Sequence, residues 1–188
     1  MSIAKPCPSP LIQPHHYVGE QLTLVATTLE MIKAELRHPQ ELARLLGVTV
    51  KPDWPPGEYD RKAQEFLFDC LDQGGANVVG WHGWYAVREN TLELVGAGGY
   101  YGPPTATGCV EIGYSIHAAY QGRGYATELV AALVDMAFDH RCVQGIVAHT
   151  APDNHPSVTV LRKNGFRQIG GVKFDNTLRF ERQREDNP

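Results

Sequence analysis

Cysteine is scarce and scattered in this chain of 188 residues. The cysteines form no C-x-x-C pair, and none has a histidine nearby at the spacing of a zinc ligand. This pattern predicts neither a metal site nor a disulfide framework, and we expect reduced thiols in a cytoplasmic protein. The four residues are Cys7, Cys70, Cys109 and Cys142.

The chain also lacks an excess of positive charge and a long apolar run. With 17 Lys and Arg against 21 Asp and Glu, its formal net charge is -4, so we expect no nucleic-acid partner. No stretch approaches the roughly 18 apolar residues of a membrane span, and residues 1–14 lack the apolar run of a signal peptide. We therefore expect an intracellular protein with no membrane partner. The acidic balance favours a neutral or cationic substrate.

The length of the chain and its hydrophobic content of 43% predict one domain over residues 1–188, whose first 20 residues form a Pro-rich arm. The element order β-α-α-α-β-β-β-α-β-α-β-β predicts a mixed sheet with helices on its faces. A homodimer closed by the arm is one possibility that the sequence leaves open. Strands are predicted at 21–25, 81–88, 91–100, 110–116, 145–150, 166–171 and 173–181, and helices at 28–37, after Pro39, and at 60–71, 124–140 and 157–164.

A glycine-rich turn, Gln121-Gly122-Arg123-Gly124-Tyr125-Ala126, lies between a predicted strand and a predicted helix. The unpaired N–H groups at a helix N-terminus attract phosphate, and small residues allow a ligand to approach closely. The turn lacks the Gly-Lys-Ser/Thr ending of a nucleotide P-loop and the third glycine of the dinucleotide fingerprint. It therefore predicts a diphosphate site of another kind, or simply a tight turn.

These residues resemble the GNAT superfamily of acetyltransferases, in which (Gln/Arg)-x-x-Gly-x-(Gly/Ala) binds the pyrophosphate of CoA. Gln121, Gly124 and Ala126 match that pattern, and the later segments Asn154-His-Pro-Ser157 and Lys163-Asn-Gly165-Phe166 match a second family feature. The resemblance covers about residues 108–170, the expected acetyl-CoA-binding core. It implies an α+β fold whose central sheet is mixed and mostly antiparallel, with helices on both faces.

Within that superfamily, the segments around Val110–Ile116 and Asn154–Ser157 are similar to the Rim-type branch, which includes enzymes that acetylate the N-termini of ribosomal proteins. The resemblance implies acetyl-CoA as cosubstrate, no metal, and direct attack of an amine on the thioester. The acceptor is a peptide N-terminus or a small-molecule amine. An antibiotic or polyamine acetyltransferase and a noncatalytic acyl-CoA-binding module remain as alternatives.

Glu111 is the candidate base, because it lies on the strand that leads to the turn and a carboxylate is uncommon inside a strand. His117 and His149 are competing candidates at strand ends. Many GNAT enzymes protonate the CoA thiolate with a tyrosine, but the corresponding position here is Leu161. Ser157 is the candidate substitute, and serving as an ordinary helix N-cap is its alternative role.

The remaining expected cofactor contacts are the whole turn from Gln121 to Ala126, including Gly122, Arg123 and Tyr125, together with Ile116 and Asn154. Ile116 would offer backbone groups to the pantetheine arm, as a strand edge does to a peptide. The acceptor side is less defined. Its candidates are six aromatic residues and three carboxylates: Trp54, Tyr59, Trp81, Trp84, Tyr100, Tyr101, Asp53, Glu58 and Asp60.

Overall fold

The structure is a computed structural model that describes residues 16–172 and 176–184. In chain order the strands are β1 His16–Val18, β2 Leu22–Ala26, β3 Gly83–Arg88, β4 Glu93–Tyr100, β5 Cys109–Ile116, β6 Gly145–Thr150, β7 Arg167–Ile169 and β8 Leu178–Gln183. The α-helices are α1 Leu29–Arg37, α2 Pro39–Leu46, α3 Arg61–Gly74, α4 Tyr125–Asp139 and α5 His155–Lys163.

All eight strands form one sheet in the order β1-β2-β3-β4-β5-β6-β8-β7. Every neighbouring pair is antiparallel except β5 and β6, which run parallel. This confirms the mixed, mostly antiparallel sheet that was expected from the sequence. The parallel pair is the one that the candidate phosphate turn connects, through helix α4.

Helices cover both faces of the sheet, as predicted. A Cβ placed on Gly83 would meet the side chain of Leu67 on α3, and one placed on Gly98 would meet Leu129 on α4. Because Gly83 pairs with Gly99, the neighbour of Gly98, these two contacts lie on opposite faces. Helices α3 and α4 therefore enclose the middle of the sheet between them.

Local sequence signals set most of the helix starts. The side chain of Thr28 accepts from the amide of Met31 at the start of α1, and Asp60 accepts from the amide of Ala63 at the start of α3. Helix α4 is the most apolar of the five and buries eight side chains between the sheet and α5. The sequence predicted these helices to within a few residues.

Several expectations were wrong in detail. Residues 16–18, placed in the Pro-rich arm, form strand β1, and the rest of that arm up to residue 15 lies outside the described residues. Helix α5 begins at His155, two residues before Ser157. Cys70 and Cys109 are free thiols, whereas Cys142 belongs to a disulfide, which contradicts the expectation of reduced thiols.

Candidate active site

Strands β5 and β6 separate halfway along their length. Their pairing runs from Cys109 opposite Gly145 to Ile112 opposite Ala148, and then stops. Strand β5 continues to Ile116 beside β4, while β6 continues to Thr150 beside β8. The separation leaves unpaired strand edges on both sides of a wedge-shaped opening, which points towards the N-terminus of α4.

The alternation of hydrogen-bonding directions along β5 shows which of its backbone groups face this opening. The carbonyl of Glu111 faces β4, where it accepts from the amide of Tyr101. Alternation therefore turns the backbone groups of Tyr114 and Ile116 towards the opening. The carbonyl of Ile116 accepts from Gln121 Nε2 at 2.9 Å, and this bond ties the glycine-rich turn to the strand.

The turn has the geometry of an anion site. Gly122 and Gly124 have φ of 75° and 89°, values that favour glycine, and both residues are exposed. No side chain caps the first turn of α4, so its leading amides have no side-chain partner. The helix dipole adds positive potential at the same place.

The predicted residues of the turn contribute differently. The side chain of Tyr125 is buried in the core, so this residue presents only its backbone to the opening. Arg123 is exposed and does not line the cavity described below; its guanidinium lies 5.9 Å from the centre of the Tyr120 ring. The backbone of the turn, more than its one charged side chain, therefore faces the site.

A cavity of about 740 Å³ joins this turn to the opening and continues beneath α3. One end is lined by the turn, the free edge of β5 and the start of α5, and we call it the donor end after the acetyl donor expected there. The other end is lined by α3, residues 57–59, and the adjoining ends of β3 and β4, and we call it the acceptor end. Among the cavity-lining residues at the donor end are Ser115, Gly122, Gly124, Ala126, Asn154 and Ser157; at the acceptor end are Thr27, Glu58, Tyr59, Phe66, His82 and Tyr101.

Glu111 and His149 face each other where the two strands separate. Glu111 Oε1 lies 2.9 Å from His149 Nδ1, and both residues line the cavity. The Glu111 side chain is 43% exposed, so water can reach it. Tyr101 lies beside this pair, and burial, reinforced by the charges of Glu111 and Glu58, raises its pKa. Two residues that the sequence offered as competing bases thus form one pair.

His117 has a structural contact instead. Its ring is 5% exposed, its Nδ1 accepts from the amide of Ala119, and its Nε2 lies 3.0 Å from Asp53 Oδ1. An Nδ1 that accepts leaves the proton on Nε2, which therefore donates to Asp53. His117 does not line the cavity. Its contact with Asp53 holds the Pro-rich loop, residues 51–57, against the end of β5.

Ser157 pairs with a hydroxyl that the sequence reading did not single out. Ser157 Oγ lies 2.8 Å from the Tyr114 hydroxyl, and both residues line the cavity. Burial raises the pKa of Tyr114 to about 12, so its phenol keeps its proton at neutral pH. Leu161, which replaces the usual tyrosine, is fully buried. Tyr114 lies on the face of β5 opposite to Glu111, and no local signal in the sequence showed that α5 would contact it.

Asn154, and not Ser157, caps helix α5. Asn154 Oδ1 accepts from the amide of Ser157 at 3.1 Å, so Ser157 occupies the third position of the helix. The alternative role of Ser157 as N-cap was therefore wrong. Asn at the N-cap with Pro in the first turn is itself a signal for a helix start at this position.

The aromatic candidates for the acceptor wall divide into two groups. Tyr59, Trp84, Tyr100 and Tyr101 line the cavity, whereas Trp54 and Trp81 are buried away from it. Of the three acidic candidates, Glu58 lines the cavity, and Asp53 and Asp60 do not. Phe66 on α3 belongs to the wall and was missed, because an apolar residue on an amphipathic helix gives no functional signal.

A buried carboxylate holds the acceptor end in place. Glu35 on α1 is 3% exposed and accepts from Trp54 Nε1, from the Tyr59 hydroxyl at 2.8 Å and from the Tyr85 hydroxyl at 2.6 Å. Burial raises the pKa of Glu35, while these three hydrogen bonds oppose that shift. Through them, α1 fixes both the Pro-rich loop and β3.

Within residues 16–172 and 176–184, no cluster of three His, Cys, Asp or Glu side chains is placed to hold a metal ion. In the same part of the chain, no helix is both long and apolar enough to cross a membrane.

Comparisons with known proteins identify a family. A family model described as an acetyltransferase (GNAT) domain matches residues 25–167. The "Uncharacterized N-acetyltransferase p20" of Bacillus licheniformis is 32% identical over 153 residues, which cover 80% of this chain and 82% of p20.

Two solved structures share the fold at low identity. Ribosomal-protein-S5-alanine acetyltransferase from Vibrio fischeri superposes with a TM-score of 0.65 at 18% identity, covering 92% of this chain and 99% of that one. The microcin C7 self-immunity acetyltransferase MccE, solved with acetyl-CoA and AMP, gives a TM-score of 0.62 at 15% identity, with coverage of 92% and 98%.

Proposed function

Because the chain belongs to the GNAT acetyltransferase family, we propose that it transfers the acetyl group of acetyl-CoA to a primary amine by direct attack on the thioester. The observation that carries this proposal is the separation of β5 and β6 beside the α4 turn. A carboxylate–imidazole pair lies on one side of the opening and a pair of hydroxyls on the other. The acceptor is a protein N-terminus or a small-molecule amine.

The donor end supplies the groups that acetyl-CoA requires. The pyrophosphate is placed at the exposed turn of Gly122 and Gly124, where backbone amides and the helix dipole favour an anion. The pantetheine arm extends along the free edge of β5, where the backbone of Tyr114 and the amide of Ile116 pair with its amides. Asn154 and Ser157 approach the same arm from α5.

The Glu111–His149 pair serves as the base. A primary amine of lysine type has a pKa near 10.4, so it must lose a proton before its nitrogen can attack the thioester carbonyl. Glu111 accepts that proton directly or through a water, since its side chain is partly exposed within the cavity. His149 orients the carboxylate through the 2.9 Å contact.

The Tyr114–Ser157 pair serves the leaving group. When the carbon–sulfur bond breaks, charge develops on the CoA sulfur, and a positioned hydroxyl stabilises that charge by hydrogen bonding or by donating a proton. Tyr114 retains its proton at neutral pH, so its phenol can donate a hydrogen bond to the sulfur directly, or donate to Ser157 while the Ser157 hydroxyl donates to the sulfur. The hydroxyl that Leu161 of α5 cannot supply is thus available from strand β5.

The test combines a free-thiol release assay with calorimetric binding of CoA. Acetyl-CoA is offered with N-terminal peptides, polyamines, amino acids and aminoglycosides. Thiol release with one acceptor class would establish both the activity and the acceptor type. Binding of CoA without release to any acceptor would favour the noncatalytic module, and absence of CoA binding would contradict the proposal.

A further inference from the structure

Two buried polar atoms at the acceptor end have no partner. Among the buried side chains in the described part of the protein, only Thr27 Oγ1 and His82 Nδ1 lack a hydrogen-bond partner. Thr27 is 1% exposed and His82 is 7% exposed, and both line the cavity. A buried polar group without a partner is unfavourable, and a ligand that forms a hydrogen bond with it removes that cost.

These two atoms lie at the same end of the cavity. Thr27 directly follows β2 and its amide donates to the carbonyl of Gly83, the residue after His82. A Cβ on Gly83 would come within 2.9 Å of Thr27 Oγ1, so the hydroxyl lies against this glycine. The His82 ring packs edge-on against Phe66 of α3, with 6.4 Å between ring centres. Burial lowers the pKa of His82, and a hydrogen bond with the Tyr100 backbone opposes that shift.

A row of glycines crosses the sheet between the reacting centre and that end, with the Tyr101 ring packed over Gly113 and the Leu67 side chain packed over Gly83. Gly113 on β5, Gly99 on β4 and Gly83 on β3 are direct neighbours across the sheet, and all three line the cavity. Adjacent strands lie about 4.8 Å apart, so the row spans about 10 Å. The walls facing the row are apolar, formed by Phe66 and Leu67 of α3.

The charge of the cavity is divided between its ends. Glu58 and Glu111 both line the cavity with Tyr101, whose pKa is raised by burial and raised further by the charges of Glu111 and Glu58. Among the described residues that line the cavity, the one lysine or arginine is Lys163, on α5 at the donor end. An acceptor with a carboxylate beside its amine would therefore meet two like charges and no cation.

From these observations we propose that the acceptor is a cationic amine with an apolar body and an uncharged hydroxyl or phenol at its far end, bound by Thr27 and His82. This inference rests on the proposed acetyl transfer and specifies its acceptor. The amine nitrogen lies near Glu111 and Glu58, the apolar body lies beside Tyr101 and Phe66 beneath α3, and the hydroxyl satisfies Thr27 and His82. A site built to bind a hydroxyl discriminates strongly against an analogue without one.

Matched amines test this proposal. Tyramine and phenethylamine differ by one hydroxyl, and tyramine and tyrosine differ by one carboxylate. We expect kcat/KM for thiol release to be at least about tenfold higher with tyramine than with either of the others. Calorimetric binding of tyramine and phenethylamine to the CoA-loaded protein should show the same preference. Equal values for tyramine and phenethylamine, or no binding of either amine, would overturn the inference.

Thr27→Val separates recognition from structure. The substitution keeps the shape of the side chain and removes the unpartnered hydroxyl, so we expect the melting temperature to be unchanged or raised. The preference for tyramine over phenethylamine should fall to about threefold or less. Thr49→Val, at an exposed residue outside the cavity, should keep the full preference. An unchanged preference in Thr27→Val would overturn the assignment of this residue.

The binding measurement also distinguishes failure of this inference from failure of the proposed function. If no amine releases thiol but tyramine still binds in preference to phenethylamine, acetyl transfer is wrong and the ligand class stands. If peptides or other amines release thiol while tyramine neither reacts nor binds, the transfer stands and the ligand class is wrong.

Discussion

The two ends of the cavity are built in different ways. The donor end consists largely of backbone groups from the segment between β5 and the first turn of α4, closed by the start of α5. The acceptor end consists of side chains from α3, the loop around Glu58, and the ends of β3 and β4, which are distant in sequence. The donor end is therefore set by local backbone conformation, and the acceptor end by long-range packing.

This difference explains how a common donor can be combined with varied acceptors. Backbone amides at a glycine turn bind a phosphate whatever side chains surround them. The acceptor wall depends on contacts such as those of Glu35, whose three donors lie between 19 and 50 residues away. Substitutions at the donor end should therefore change CoA affinity, and substitutions at the acceptor end should change the KM for the acceptor. The four predictions below test that separation.

The largest effect is expected from Glu111→Gln. Loss of the base should lower kcat by about 10²–10⁴-fold and leave CoA affinity unchanged, since Glu111 lies outside the donor end. The deficit should shrink as the pH rises towards the amine pKa near 10.4, because more of the acceptor is already the free base. Thiol release measured across pH, with Glu89→Gln at an exposed turn as control, checks this prediction.

Glu35→Ala should disturb the acceptor end and spare the donor end. It leaves three buried donors without their acceptor, so we expect the free energy of unfolding to fall by about 3 kcal/mol or more. Urea unfolding, compared with exposed Glu89→Ala, measures the loss. In the folded variant, acceptor KM should rise while CoA affinity stays close to that of the wild type. A parallel loss of CoA affinity would show that the two ends are not independent.

Gly124→Val should disturb the donor end and spare the acceptor end. A side chain at φ of 89° strains the turn and obstructs the phosphate, so CoA affinity should fall by about 30-fold, or about 2 kcal/mol. Gly47→Val is the matched control, because Gly47 has φ of 67°, has equally open space around its Cβ, and lies outside the cavity. Both variants should lose similar stability. Equal CoA affinities in calorimetry would contradict the assigned phosphate site.

The smallest effect is expected at the hydroxyl pair. Tyr114→Phe and Ser157→Ala should each lower kcat by about tenfold, with little change in KM for the acceptor. Because the two hydroxyls act together, the double variant should lose less than the product of the single effects. Tyr17→Phe removes a hydroxyl that contacts Asp135 outside the cavity, and it should react at the wild-type rate. Fully multiplicative losses would show that the two hydroxyls act separately.

Features carried by neighbouring residues were predicted well. The Thr28 cap of α1, the span of β6 and the glycine turn all depend on backbone preferences within a few residues. The three-residue strand β1 was missed, because a strand this short has too few residues to show an alternation. Strand β7 is shorter than the strand predicted at 166–171. Strand β8 shares residues 178–181 with the strand predicted at 173–181, of which residues 173–175 lie outside the described part of the chain.

Pairings between distant residues were not predictable in the same way. Glu111 and His149 were each considered as a base, but their contact depends on the parallel register of β5 and β6. Asp53 contacts His117 only because the Pro-rich loop folds back over the end of β5. Tyr114 meets Ser157 because α5 packs against the face of β5 opposite to Glu111. The spacing of these residues in the sequence does not indicate any of these contacts.

The sequence by itself determined the family, the order of most elements and the glycine turn at the start of α4, because each depends on conformational preferences of consecutive residues. The tertiary structure alone decided where β5 and β6 separate, which hydroxyl lies beside Ser157, and which buried polar atoms of the described residues remain without partners at the acceptor end. Those features arise from packing between segments far apart in the chain. The free energy that stabilises them is gained only when the segments come into contact, so neither segment shows it alone.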